Sequence, residues 1–290
     1  MQKVRDTDTL KNRIRYIILF ILLLGVEILI AIFAKGFVRG FIGDVIVIPT
    51  LYFLIRIVFA KDSVFSVYVL PFLCYYAGIA AEILQAIHIN EILGINENSV
   101  LGIMIGRAFD FGDIAAYFIG MYVIGLFLAA ESIVKTNRKW WYPLGIIIHW
   151  TWGNIQTVGG LVLYLWYIKS PHYYYKGVVR TAWPRNSGIS LGMFIFTPWE
   201  PKAGDESKKA KERREYCEEV AVHEYGHTIQ ALLLGPLYIF VIGIPSLLWG
   251  NVPAFIKLRI EKKIPYTWLY CEKWASYWGE KVTKEKAIWN

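Results

Sequence analysis

The sequence predicts a mainly α membrane protein. A four-helix transmembrane bundle over residues 1–139 precedes a membrane-associated α+β domain over residues 140–290. Three observations carry this. The composition is 56% hydrophobic and 16% aromatic, with mean hydropathy +0.41, too apolar for a water-soluble chain of 290 residues. Four long apolar runs all lie before residue 135. From Trp140 the texture changes: Trp, Tyr, Gly and Pro become frequent and the apolar runs are interrupted, as in Trp150-Thr151-Trp152-Gly153-Asn154.

The first run, Ile14 to Ala34, follows Lys3, Arg5, Lys11, Arg13 and Arg15 and is long enough for a bilayer core of about 30 Å. Its apolar core exceeds a signal-peptide h-region and no A-x-A cleavage site follows, so it reads as a retained helix. Phe37 to Ala60, Val64 to Ile87 and Ile114 to Val134 complete the four spans. Lys61 after the second and Lys135, Arg138 and Lys139 after the fourth join the N-terminal block in placing both ends of this region in the cytoplasm. Beyond Trp140, residues Lys176 to Thr197 read as a β-hairpin turning near Pro184 to Gly188. Lys202 to Glu219 is a charged, solvated lead into a helix. Leu144 to Ile168 and Ile229 to Leu248 read as segments that dip into or lie on the membrane. A crossing by the first alone would put the basic run Lys202 to Arg214 outside, against the charge bias.

The formal net charge of +8 is gathered in short blocks beside apolar runs, which points to lipid headgroups and away from nucleic acid. Cys74, Cys217 and Cys271 share no CxxC spacing and read as reduced, structural thiols.

Ionisable groups within spans are costly and mark polar interiors. Asp44, Glu82 and Asp113 are therefore site candidates, with Gln85 one turn from Glu82 and with Arg107, Asp110 and Tyr117 nearby in sequence. An arginine–carboxylate network across helix ends would offset their desolvation. The pattern Glu82-x-x-Gln85 followed by Arg107-x-x-Asp110-x-x-Asp113 resembles the VanZ-like family and a related uncharacterised bacterial membrane family over roughly residues 78–125. It departs at Tyr117, where VanZ-like proteins usually carry Asn. The resemblance implies a bacterial origin and a polar pocket, with no reaction attached.

The densest chemical signal is His223-Glu224-Tyr225-Gly226-His227. Histidines at i and i+4 project from one helix face a turn apart, so both reach one zinc ion at about 2.0–2.2 Å. Glu224 then flanks the metal as general base without ligating it. Gly226 in mid-helix costs about 0.5–1 kcal/mol relative to Ala, a cost consistent with close backbone approach at the site. A catalytic zinc needs a third protein ligand. Of Glu261, Glu272, Glu280 and Glu285, Glu272 is preferred, because the small Ala275 and Ser276 one turn on would let its helix close on the motif helix. His149 and His172 read as structural.

This constellation resembles the gluzincin type of zinc metallopeptidase over about residues 195–280, implying a zincin-like domain in which Glu224 is the base and His223, His227 and Glu272 the ligands. The same HExGH, followed by Ala231 and Gly235, is also similar to site-2-type intramembrane proteases. Their third ligand lies in an LDG motif that this chain lacks, the nearest feature being Asn251-Val252-Pro253. The expectation is a zinc-dependent hydrolase of peptide or protein substrates in a bacterial inner membrane, with both termini cytoplasmic. The competing class is a non-catalytic membrane protein with an inactive or structural metal site.

Overall fold

The computed structural model describes residues 9–94, 109–136, 141–202 and 204–289. The chain forms two compact units with the boundary between Lys139 and Trp140.

The N-terminal unit is built from α1 (Thr9–Phe33), α2 (Gly43–Val58), α3 (Leu70–Ala86) and α4 (Phe111–Thr136). Single π-helical turns, Val38–Ile42 and Phe65–Val69, lead into α2 and α3. Four segments among the described residues, Thr9–Phe33, Val38–Val58, Phe65–Ala86 and Phe111–Glu131, are long and apolar enough to cross a membrane. They fall on the four runs expected from the sequence. Helix contact is tightest where side chains are smallest: a Cβ on Gly120 of α4 would overlap the Val45 carbonyl of α2, and one on Gly78 of α3 would lie 2.7 Å from the Tyr117 ring. A feature missed in the sequence is Arg56, fully buried in α2. Its guanidinium donates to the Tyr16 hydroxyl (2.6 Å) and to Asp62 (2.5 Å) and stacks on the Tyr16 ring, the pairing a buried cation requires.

The C-terminal unit begins with α5 (Trp141–Thr151) and α6 (Asn154–Trp166), broken at Trp152-Gly153. Each is too short to cross a core of about 30 Å. A mixed sheet follows, β1 (His172–Tyr175), β2 (Val178–Trp183), β3 (Ile189–Leu191) and β4 (Phe194–Pro198), in the order β1-β2-β4-β3. The expected hairpin of Val178-Val179 with Ile189–Phe196 is corrected here. β2 pairs antiparallel with β1 and parallel with β4, and the true hairpins are β1–β2 and β3–β4. Backbone chemistry explains the difference. Lys176 and Gly177 both have positive φ, as a two-residue turn closing β1 on β2 demands, and Gly192 (φ +62°) turns β3 into β4. Residues 184–188, read as a turn, are instead a crossover.

Helix α7 (Lys208–Leu234) is capped by Ser207, whose hydroxyl accepts from the Ala210 amide at 3.2 Å, and ends at Gly235 with φ +54°. Its first half is charged and largely exposed; Val220–Thr228 is buried. After it come α8 (Ile244–Asn251), α9 (Pro253–Lys262) and α10 (Tyr270–Thr283). α10 lies along α7 through two reciprocal glycine contacts. A Cβ on Gly226 would overlap the Ala275 carbonyl, and one on Gly279 would overlap the Val222 carbonyl.

Candidate metal centre

The α7–α10 contact puts three donor side chains in one buried group. His223, His227 and Glu272 each offer an atom lying within 4.8 Å of the others, and all three are buried. One Glu272 carboxylate oxygen stands 3.0 Å from His223 Nε2 and 3.3 Å from His227 Nε2. The histidine rings, one turn apart, are 4.9 Å between centroids and nearly perpendicular. Glu272, in the first turn of α10, arrives because the glycine contacts let the two backbones touch.

The other ring nitrogens fix the tautomers. His227 Nδ1–H donates to Gln230 Oε1 (2.7 Å), whose amide donates to the Cys271 carbonyl (2.9 Å). His223 Nδ1–H donates to Ser276 Oγ (2.9 Å), whose own hydrogen goes to the Ile288 carbonyl (3.0 Å). Both Nε2 atoms therefore face Glu272, and second partners of this kind characterise metal-binding histidines. Such a convergence of donor atoms could hold a metal ion. Burial alone would lower His227, but the adjacent Glu272 carboxylate outweighs it and raises the imidazole to about 9. Burial opposes ionisation of Glu272 too, yet the two imidazoles hold it well below the usual carboxylate range. Without metal a proton sits where three ligands meet; the donor set fits zinc.

Glu224 is buried beside this group and is not part of it. Burial pushes its carboxyl up to about 8. Gly188, just before β3, leaves its carboxylate room: a Cβ there would overlap Glu224 Oε1. The crossover carrying Gly188 is pinned by Trp183 Nε1 donating to the Ser187 carbonyl and by Tyr216 donating to the Asn186 carbonyl, both at 2.7 Å. Beyond Gly188, β3 is one of the two edge strands of the sheet. Tyr238 is a further residue the sequence did not flag. It is buried and shares a core with Ala231, Ile242 and Cys271, the neighbour of Glu272.

The remaining candidates separate. His149 is buried and His172 bonds Thr181, neither in the metal group. Asn251 donates to the Leu247 carbonyl from an exposed position and contributes no ligand. In the N-terminal unit, buried Glu82 accepts from the Tyr117 hydroxyl (3.1 Å) and the Asp110 amide (3.2 Å), while Asp44 and Asp113 lie in the first turns of α2 and α4. Gln85 is half-buried, and Arg107 lies outside the described residues.

Residues 33–121 match a family described as a protein of unknown function (DUF2809), a membrane-type family. No curated protein and no solved structure matches the chain.

Proposed function

We propose that the chain is a membrane-anchored zinc-dependent peptidase of the bacterial inner membrane, with both termini cytoplasmic and peptide or protein substrates. One observation carries the reading: His223, His227 and Glu272 converge through oriented atoms while a second buried acid, Glu224, stands beside them outside the donor set. Zinc held by those three residues would polarise a peptide carbonyl and acidify water. Glu224 takes the proton from the attacking water and passes it to the leaving amine, as a buried carboxyl that is not itself a ligand can do. Gln230 and Ser276 hold the imidazoles in the donating tautomer. Edge strand β3, continuous with Gly188 against Glu224, offers backbone groups along which an extended peptide can pair.

The site-2-type alternative gains nothing from Asn251, whose side chain bonds the Leu247 carbonyl, whereas Glu272 stands against the two histidines. A purely structural metal site closes four positions with protein groups, whereas three donors converge among the described residues. The test is metal analysis after zinc-replete expression, followed by a comparison of wild type with Glu224→Gln. The expected result is about one zinc in both and hydrolysis only in the wild type. Absence of zinc from the wild type would end the enzyme reading.

A further inference from the structure

The chain between the two ligand helices leaves and returns at the same place. Tyr238, just after α7, shares a core with Cys271, next to Glu272, and the Tyr270 hydroxyl donates to the Val241 carbonyl. Between these anchors Ile239–Asn251 runs outward and Pro253–Lys262 turns from it by 71°. At about 1.5 Å per residue the outward helix reaches roughly 20 Å, short of a hydrocarbon core of about 30 Å. Its tip is tied back, because Trp249 Nε1 donates to the Tyr266 carbonyl at 2.8 Å and its ring lies 6.0 Å from that of Trp268. A segment whose two ends share one anchor cannot be a single crossing.

Its outer face is apolar and open. Leu233, Leu237, Phe240, Ile244 and Leu247 recur every three or four residues, with Leu248 beside the last, and are 42–68% exposed. The returning helix adds a basic rim: exposed Lys257, Lys262 and Lys263 against the single acid Glu261. An apolar stripe beside lysines complements an anionic lipid surface, with the stripe among acyl chains and the lysines at phosphates.

We propose that residues 233–263 form a re-entrant hairpin that inserts into the bilayer, bringing the His223–His227–Glu272 group to the headgroup level. The second half of the proposal rests on the peptidase reading: the substrate is a polypeptide tethered to the same membrane.

The test uses the full chain in vesicles of phosphatidylethanolamine and phosphatidylglycerol. Spin labels are placed at Leu237→Cys, Phe240→Cys and Leu247→Cys, with Lys209→Cys on the charged half of α7 as the aqueous reference; the three native cysteines are buried. The three stripe labels should relax with dissolved oxygen at least severalfold more than with a water-soluble nickel chelate, and Lys209→Cys should show the reverse. Stripe labels that behave like Lys209→Cys, or that are shielded from both reagents by a protein partner, would overturn the insertion. In the same vesicles one peptide is offered free and acyl-anchored, and anchoring should raise cleavage at least tenfold. Equal cleavage would overturn the substrate class. Inserted labels with neither peptide cleaved would retire the peptidase reading and leave the hairpin standing.

Discussion

Gly226→Ala tests whether backbone contact between α7 and α10 assembles the metal group. The added methyl meets the Ala275 carbonyl, which is backbone, so no rotamer change relieves the overlap and the helices must separate. Forced overpacking costs about 1–3 kcal/mol, occasionally more. The better helix propensity of Ala returns up to about 1 kcal/mol. A net loss of about 2 kcal/mol corresponds to roughly 4–8 °C in apparent Tm for a unit of this size. Separation also withdraws Glu272, one turn before Ala275 on the same helix, from the two histidines. Zinc affinity should fall by about 10–100-fold, the range seen when support of a ligand is lost. Differential scanning fluorimetry and competition with a chromogenic chelator measure the two effects. Gly159→Ala is the control. A Cβ there meets nothing within 4 Å on helix α6, so the same substitution should leave the protein unchanged or about 0.5–1 kcal/mol more stable. If Gly226→Ala keeps wild-type Tm and zinc affinity, the reciprocal glycine contact does not assemble the site.

Further outcomes follow from the same geometry. Ser276→Ala and Gln230→Ala each leave a buried imidazole N–H without its acceptor, and each should weaken zinc binding about 10–100-fold by equilibrium dialysis while the chain stays folded. Zinc must displace the proton that His227 holds up to about pH 9, so apparent affinity should rise up to tenfold per unit between pH 6.5 and 9 and then flatten; a flat profile would remove that proton from the linkage. In metal-free protein the His227 contribution to stability, from a pKa raised above its ordinary 6.5, is full below pH 6.5 and lost as pH rises through 9. That of Glu272, lowered from 4.5, is full above pH 4.5 and lost in acid, so melts of chelated protein should peak between about pH 4.5 and 6.5. Gly120→Ala, whose methyl would overlap the Val45 carbonyl, should lower the detergent melting temperature of the bundle and leave zinc content untouched.

The spans and the motif pair were legible in the sequence because both are local properties. Span length and hydropathy depend on consecutive residues, and the i, i+4 spacing of His223 and His227 places them on one helix face whatever surrounds the helix. Glu272 stood at the margin of legibility, since Ala275 and Ser276 hinted at close packing, but its arrival needed the Gly226 and Gly279 contacts across more than forty residues. Strand pairing was not legible. Short apolar segments read alike whether neighbours pair parallel or antiparallel, and positive φ at Lys176, Gly177 and Gly192 chose the hairpins. Gln230, Ser276, Gly188 and the buried Arg56 carry no spacing signal, because each acts on a partner that chain spacing does not specify. The sequence by itself determined which helices suit a membrane and which two imidazoles share a face. Only the tertiary structure decided which carboxylate joins them, which hydroxyl and amide set their tautomers, and where Glu224 stands, because those atoms meet through packing between distant segments.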